Sequence, residues 1–287
     1  MRMLKENDYA TYPRTFDAYK WYKPLIVGAV FVVIWLISSA VIDLITKLIF
    51  STKVTSTGYD DMDFFTAAGA FDNAALAAVV VPCLILAALI VKDRPVSSYF
   101  SSMGGWRWGV FLKTLAAAFV ILGIPTIVWL LIHGRTGEMA FTVGGFILLT
   151  LLAPLQGVGE ELLDRGFILQ TVSSWFKLPV VGVIVQTIVF AVGHPYNAVG
   201  MTEIVISGIL YALICLCTKG IESGSALHIV NNMTLIYMAG FGFGSISSEQ
   251  TVPDVVINVL FKILFFVFII YADRKLHWFD KNNPAQP

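Results

Sequence analysis

TVGGFILLTLLAPLQGVGEELLDR, residues 142–165, decides the fold. Eighteen uncharged residues, Thr142 to Gly159, run directly into Glu160, Glu161, Asp164 and Arg165. About 20 mostly apolar residues suffice to cross a bilayer as a helix. Ionisable groups at the end of such a run are costly to hold there, so they mark a functional site by default.

The rest of the chain has the same character. Of its 287 residues 57% are hydrophobic and 13% are charged, with a mean hydropathy of +0.79, whereas soluble domains carry roughly 25% charged residues. The length accommodates about eight spans. Apolar runs place them at 25–46, 74–91, 109–132, 142–165, 179–195, 202–217, 224–240 and 255–271. The expectation is an all-α polytopic membrane protein, about eight transmembrane helices around a central polar cavity. Residues 1–141 would supply an N-terminal cytoplasmic segment, three spans and an interfacial segment; 142–240 the core; and 241–287 the last span and a tail. The polar start without a small-residue cleavage site reads as an uncleaved anchor.

Charge distribution orients the spans. One set of alternate connections holds Arg2, Lys5, Arg14, Lys20, Lys23, Lys92, Arg94, Arg107, Lys177, Lys219, Arg274, Lys275 and Lys281, whereas the other holds Lys53 and Arg135 with Asp60, Asp61, Asp63 and Asp72. Lys and Arg favour cytoplasmic connections, so both termini should be cytoplasmic. Trp21, Trp106, Trp108, Trp175 and Trp278 fall near the same boundary, as interfacial rings do. The segment from Ser97 to Trp108 is too polar to span and reads as interfacial or as a solvated loop. Zero net charge gives no indication of a nucleic-acid partner, and none is expected. Cys83, Cys215 and Cys217 lie in apolar runs and imply neither disulfides nor a thiolate metal site.

Three helices carry the chemistry. Glu161 and Arg165 are four residues apart and can pair on one helix face. Glu160 faces elsewhere, with Asp164 as its own four-residue neighbour. His194 closes Phe190-Ala-Val-Gly-His194 before Pro195, which ends or kinks the helix. His228 and Asn232 share a face, with Asn231 pointing away. Two imidazoles, a carboxylate pair and an amide are the parts needed to activate water and stabilise an oxyanion. The blander alternatives are a structural ion pair and histidines bonded to backbone carbonyls. Gln156, Gln186 and Glu203 are further candidates for the cavity wall, Asp43 and Lys47 for a pair within the first span, and Lys113 and Lys262 for snorkelling.

Glu-Glu-x-x-x-Arg, Phe-x-x-x-His and His-x-x-x-Asn, in this order on separate apolar helices, resemble the CAAX protease and bacteriocin-processing family of intramembrane proteases. The likeness covers about residues 142–240, and the Gly-Gly-Trp-Arg-Trp stretch at 104–108 is also similar. It implies Glu160 as the base that activates water. His194 would position that water or bind a metal, and His228 with Asn232 would bind the metal or stabilise the oxyanion. Glu161 and Arg165 would support the site or contact substrate. A zinc ion on His194 and His228 with one carboxylate is one option within the family, although no H-E-x-x-H helix is present. Asp164 departs from the family's usual apolar or aromatic residue.

The function implied is an intramembrane endopeptidase acting on a membrane-associated peptide or protein in a bacterial cell membrane, near its cytoplasmic face. The alternative is a non-catalytic scaffold or immunity protein of the same fold. A proton-coupled transporter is disfavoured, because no inverted repeat is visible. Depth adds one expectation. Glu160 and His194 each lie 17 residues from Lys177, roughly 25 Å along a helix, whereas His228 lies only nine past Lys219. Either the arm 166–177 protrudes into the cytoplasm or the helix boundaries around Pro195 lie elsewhere, and the polar far half of the arm, with Gln170, Thr171, Ser173, Ser174 and Lys177, favours protrusion.

Overall fold

The computed structural model describes residues 8–50 and 62–279. Arg2, Lys5, Lys53, Asp60, Asp61 and Lys281 lie outside the described residues. Helices α1 (Lys23–Phe50), α2 (Ala67–Ala78), α3 (Val80–Val91), α4 (Ser97–Phe100), α5 (Trp108–Ala118), α6 (Ile124–His133), α7 (Val143–Glu161), α8 (Gln170–Phe176), α9 (Pro179–Val192), α10 (Ala198–Thr218), α11 (Glu222–Gly240) and α12 (Val252–Leu276) follow in order. No strand occurs among the described residues.

Several helices join into longer rods. Pro82 cannot donate a backbone hydrogen bond, and the rod Ala67–Val91 is broken just before it, at Val79. α5 and α6 are joined by π-helical winding over Phe119–Gly123, next to Pro125. α7 and α8 are joined by a longer π-helical stretch, Leu162–Leu169. Insertions of this kind recur at functional sites.

Six helical rods are long and apolar enough to cross a membrane: Lys23–Phe50, Ala67–Val91, Trp108–His133, Val143–Phe176, Ala198–Thr218 and Val252–Leu276. The expected eight runs are all helical, but two fall short of that standard. α9 has 14 residues, about 21 Å against a hydrocarbon core of ~30 Å. α11 is the more polar because it is enclosed by other helices, with His228, Thr234, Glu222 and three of its first-turn small residues buried.

Small residues let the central helices approach. Ala70 and Ala74 of α2 share a core cluster with Leu149 and Ala153 of α7. At Gly157 of α7 an added Cβ would lie 3.0 Å from Ile229 Cγ1 and 3.2 Å from Ile229 N of α11. Close backbone approach between helices is the usual use of small residues in membranes. It brings α7 and α11 near enough for their side chains to share a site.

One end of the bundle gathers the basic connections. α3, α8 and α10 close on Lys92, Lys177 and Lys219, all with left-handed backbone, and cations suit helix C-termini. Lys23 Nζ donates to the Lys92 carbonyl at 3.1 Å. Arg107 forks onto both carboxylate oxygens of Glu222, at 2.9 and 2.8 Å, and onto the Thr218 carbonyl at 2.8 Å. Such bidentate pairs fix geometry as well as charge, and this one pins the segment before α5 to the start of α11.

The structure departs from three expectations. The segment 97–108 is neither a plain interfacial strip nor a solvated loop, because Ser98, Tyr99 and Ser101 are buried. Arg94 lies over the Tyr99 ring at 3.7 Å, donates to the Gly166 carbonyl at 3.0 Å and bonds Gln170. The polar residues of the arm 166–177, expected to protrude into the cytoplasm, are covered by protein. Gln170, Thr171, Ser173 and Ser174 are buried, and Arg14 and the Trp21 carbonyl bond Ser174 and Trp175. Burial pushes the phenols of Tyr9 and Tyr99 in this cap above their ordinary range, so they act as neutral donors. Lys262 does not snorkel. It is buried and bonded to Glu203 and, at 2.9 Å, to Ser207. The expected pair Asp43–Lys47 is present at 2.6 Å.

Candidate active site

The two adjacent glutamates have different surroundings because neighbouring residues on an α-helix point about 100° apart. Glu161 is fully buried. Its Oε1 accepts from Arg165 Nη1 at 3.1 Å and from His228 Nδ1 at 3.0 Å. Room for its Oε2 depends on Gly224, where a Cβ would lie 2.7 Å from that atom. Glu160 Oε1 accepts from Gln156 Nε2 at 2.9 Å, whereas its buried Oε2 has no hydrogen-bond partner.

That Oε2 faces both imidazoles. His194 Nε2 lies 3.7 Å and His228 Nε2 3.6 Å away. The separations exceed a direct hydrogen bond. α9 ends at Val192, and His194 Nδ1 donates to the Phe190 carbonyl at 2.7 Å. The histidine therefore does bond a backbone carbonyl, as the blander reading held, and this contact aims its other nitrogen at Glu160. His228 is held by Glu161 and stacks on Tyr211, with ring centroids 5.0 Å apart and planes 9° apart.

Arg165 is the fully buried hub of this arrangement. Besides Glu161 it meets Asp164 at 3.7 Å and the Gly208 carbonyl at 3.3 Å. Its guanidinium lies 4.6 Å from the Phe190 ring centre and 5.2 Å from that of Tyr211. Asp164 thus neighbours Arg165, and it does not line the cavity described next.

A cavity of about 520 Å³ extends from His194, His228 and Asn232 past Asn231, Glu203 and Asn258 toward His133, Thr136, Ser245 and Glu249. His133 ends α6, and the other three belong to connections 134–142 and 241–251, tied together by Thr136 N to the Gly242 carbonyl at 3.0 Å. The cavity therefore opens at the end opposite the basic connections. Gln156 and Glu203 line the cavity as expected. Gln186 does not, since it is buried against the carbonyls of Val183 and Gly208 at 2.9 and 3.0 Å.

Sequence reasoning missed Gly224, Tyr211 and the anchoring carbonyl of Phe190. Phe190 had a visible signal in its four-residue spacing from His194. Gly224 and Tyr211 had none, because their roles arise only when α10 and α11 pack on α7.

A zinc ion would draw on His194, His228 and Glu160. Both rings have an anchored Nδ1, as metal-ligating imidazoles do. Among the described residues, however, no group of three or more His, Cys, Asp or Glu is arranged to hold a metal ion. The steps proposed below therefore run through side chains alone.

Fold and site together define a polytopic helical membrane protein with an enclosed carboxylate–imidazole centre. Residues 141–234 match the family described as Type II CAAX prenyl endopeptidase Rce1-like. The matched segment contains Glu160, Glu161, Arg165, His194, His228 and Asn232. The chain matches no curated protein and no solved structure significantly.

Proposed function

We propose that the protein is an intramembrane endopeptidase that hydrolyses a peptide bond of a membrane-associated peptide or protein with a glutamate-activated water. The observation that carries this reading is the unpartnered Oε2 of Glu160, faced by two imidazole nitrogens at 3.6 and 3.7 Å. Glu160 Oε2 takes a proton from water, and the oxygen attacks the scissile carbonyl carbon. His194 Nε2, with its Nδ1 proton committed to Phe190, accepts from that water and orients it. His228, backed by the Glu161 carboxylate, donates from Nε2 to the developing oxyanion, and Asn232 Nδ2 donates beside it. As the tetrahedral intermediate collapses, Glu160 returns its proton to the leaving amine.

The residues fit a bacterial cell-membrane protein with both termini cytoplasmic, by the Lys and Arg asymmetry. With that orientation, the cavity faces the extracytoplasmic side. The substrate is then a peptide or membrane-protein segment presented from that side.

The test is a Glu160→Gln substitution at matched protein level, with the membrane proteome compared to wild type. A precursor accumulating in the variant supports the reading. An unchanged proteome and unchanged cellular function would instead support the alternative, a non-catalytic scaffold or immunity protein. A zinc-dependent form of the same reaction is favoured only by the anchored Nδ1 atoms of His194 and His228. Elemental analysis decides that point: about one zinc per chain, lost in His194→Ala with His228→Ala, would establish it.

A further inference from the structure

Three asparagine amides on two helices form a chain that ends at the proposed oxyanion donor. Asn258 of α12 donates from Nδ2 to Asn231 Oδ1 at 2.9 Å, and Asn231 of α11 donates from Nδ2 to Asn232 Oδ1 at 3.1 Å. All three side chains line the cavity that contains His194 and His228. Asn258 Oδ1 is buried and accepts no hydrogen bond, so the chain begins there. Asn258 lies outside residues 141–234, the segment matched to the family.

A terminal amide has two unlike ends of nearly equal shape, one an acceptor and the other a double donor. At the oxyanion only the donor end is useful, since an amide oxygen turned toward developing negative charge would raise the barrier. Asn232 shares a helix face with His228 one turn away, but spacing alone cannot choose between its two amide orientations. In the structure the bond from Asn231 occupies Oδ1 and leaves both Nδ2 protons free. Among the described residues nothing accepts from that Nδ2. Asn231 is in turn polarised the right way, because its own Oδ1 is occupied by Asn258.

We infer that Asn258 and Asn231 are positioning residues that hold the Asn232 amide with its N–H end toward the reacting carbonyl. Asn258 bonds Asn231, not Glu160, His194 or His228, and on this inference acts through Asn232. The inference rests on the endopeptidase reading and assigns a task to a residue on the last helix that no motif marks.

The test is a double-mutant cycle with Asn258→Leu and Asn232→Ala on the full-length protein in detergent, with thermal stability checked for each variant. The probe is an internally quenched peptide with a farnesylated CAAX terminus. If wild type leaves it intact, the probe becomes the precursor that accumulates in Glu160→Gln membranes. Asn258→Leu, which keeps the volume and removes the donor, should lower kcat about 10-fold with KM changed less than about twofold, and Asn258→Gln should recover part of the loss. In the Asn232→Ala background, Asn258→Leu should have no further effect, because coupled residues are non-additive. Equal losses in both backgrounds, or wild-type kcat in Asn258→Leu, would overturn the inference while leaving the role of Glu160 intact. If Glu160→Gln itself keeps wild-type turnover, or neither probe is processed, the endopeptidase reading fails and this inference falls with it. Should Asn258→Leu not fold, Asn258→Ser in the same cycle decides, with the same outcomes.

Discussion

Removing the charge of Arg165 should cost more stability than any other single change at the site. The guanidinium is fully buried, 3.1 Å from Glu161 and 3.7 Å from Asp164. Arg165→Met leaves Glu161 buried without its guanidinium partner. Breaking a buried pair by deleting one partner costs about 3–5 kcal/mol. For a chain of this size each kcal/mol corresponds to roughly 2–4 °C at the unfolding midpoint. The expected fall is therefore on the order of 10 °C, read by fluorescence-detected thermal unfolding in detergent. Adding Glu161→Gln to Arg165→Met should restore a substantial part, because the orphaned charge is then removed as well. A single variant within about 2 °C of wild type, or a double variant less stable than the single, would refute the account of Arg165 as the hub that neutralises this cluster.

Glu161→Gln keeps the shape but removes the charge facing His228 and Arg165. It should lower kcat about 10- to 100-fold with little change in KM, since a hydrogen bond to a charged group is worth about 1.5–3 kcal/mol; unchanged turnover would show that Glu161 does not orient His228. Gly157→Ala places a methyl 3.0 Å from Ile229 Cγ1 and 3.2 Å from its backbone nitrogen. That should cost about 1–3 kcal/mol in thermal unfolding and reduce turnover by parting Glu160 from His228. Ser245→Cys, at the exposed cavity mouth, should react with a membrane-impermeant maleimide on intact cells, in a Cys217→Ser background. Cysteine at Lys177 should react only after permeabilisation, and the opposite pattern would put the cavity mouth in the cytoplasm.

The chain's composition, apolar runs and three short motifs carry much of the fold and the site. Spacing alone is enough to pair Glu161 with Arg165, because four residues make one helical turn. It also separates Glu160 from Glu161. It could not assign partners across helices. That His228 belongs to Glu161 by one nitrogen and faces Glu160 by the other depends on Gly157 and Gly224 allowing α11 to sit against α7. Pattern also misled at Lys262, where a lysine near a helix middle reads as snorkelling until Glu203 of α10 is seen beside it. The π-helical stretch Leu162–Leu169 is silent in sequence, because such winding is fixed by what packs around it. Here that is Arg94 on the Gly166 carbonyl, and Tyr99, whose carbonyl oxygen would lie 2.5 Å from a Cβ at Gly166.

The doublet Glu160-Glu161 makes sense only as a division of labour. A single carboxylate could not both neutralise a buried guanidinium and remain free to exchange protons, because the bonds that hold it charged also occupy its lone pairs. Two adjacent carboxylates on a helix solve this by geometry, since the ~100° step between them turns one toward Arg165 and the other toward the two imidazoles. Glu161 satisfies Arg165 and His228 through one oxygen. Glu160 is steadied by Gln156 on one oxygen and keeps the other unpartnered before two imidazoles. Inserting one alanine between Gln156 and Glu160 would turn Glu160 off Gln156 and both glutamates off their histidines, while the Glu161–Arg165 pair, four residues apart on the shifted segment, would stay together. The same rotation that lets the site form therefore also makes its register intolerant of a single-residue insertion.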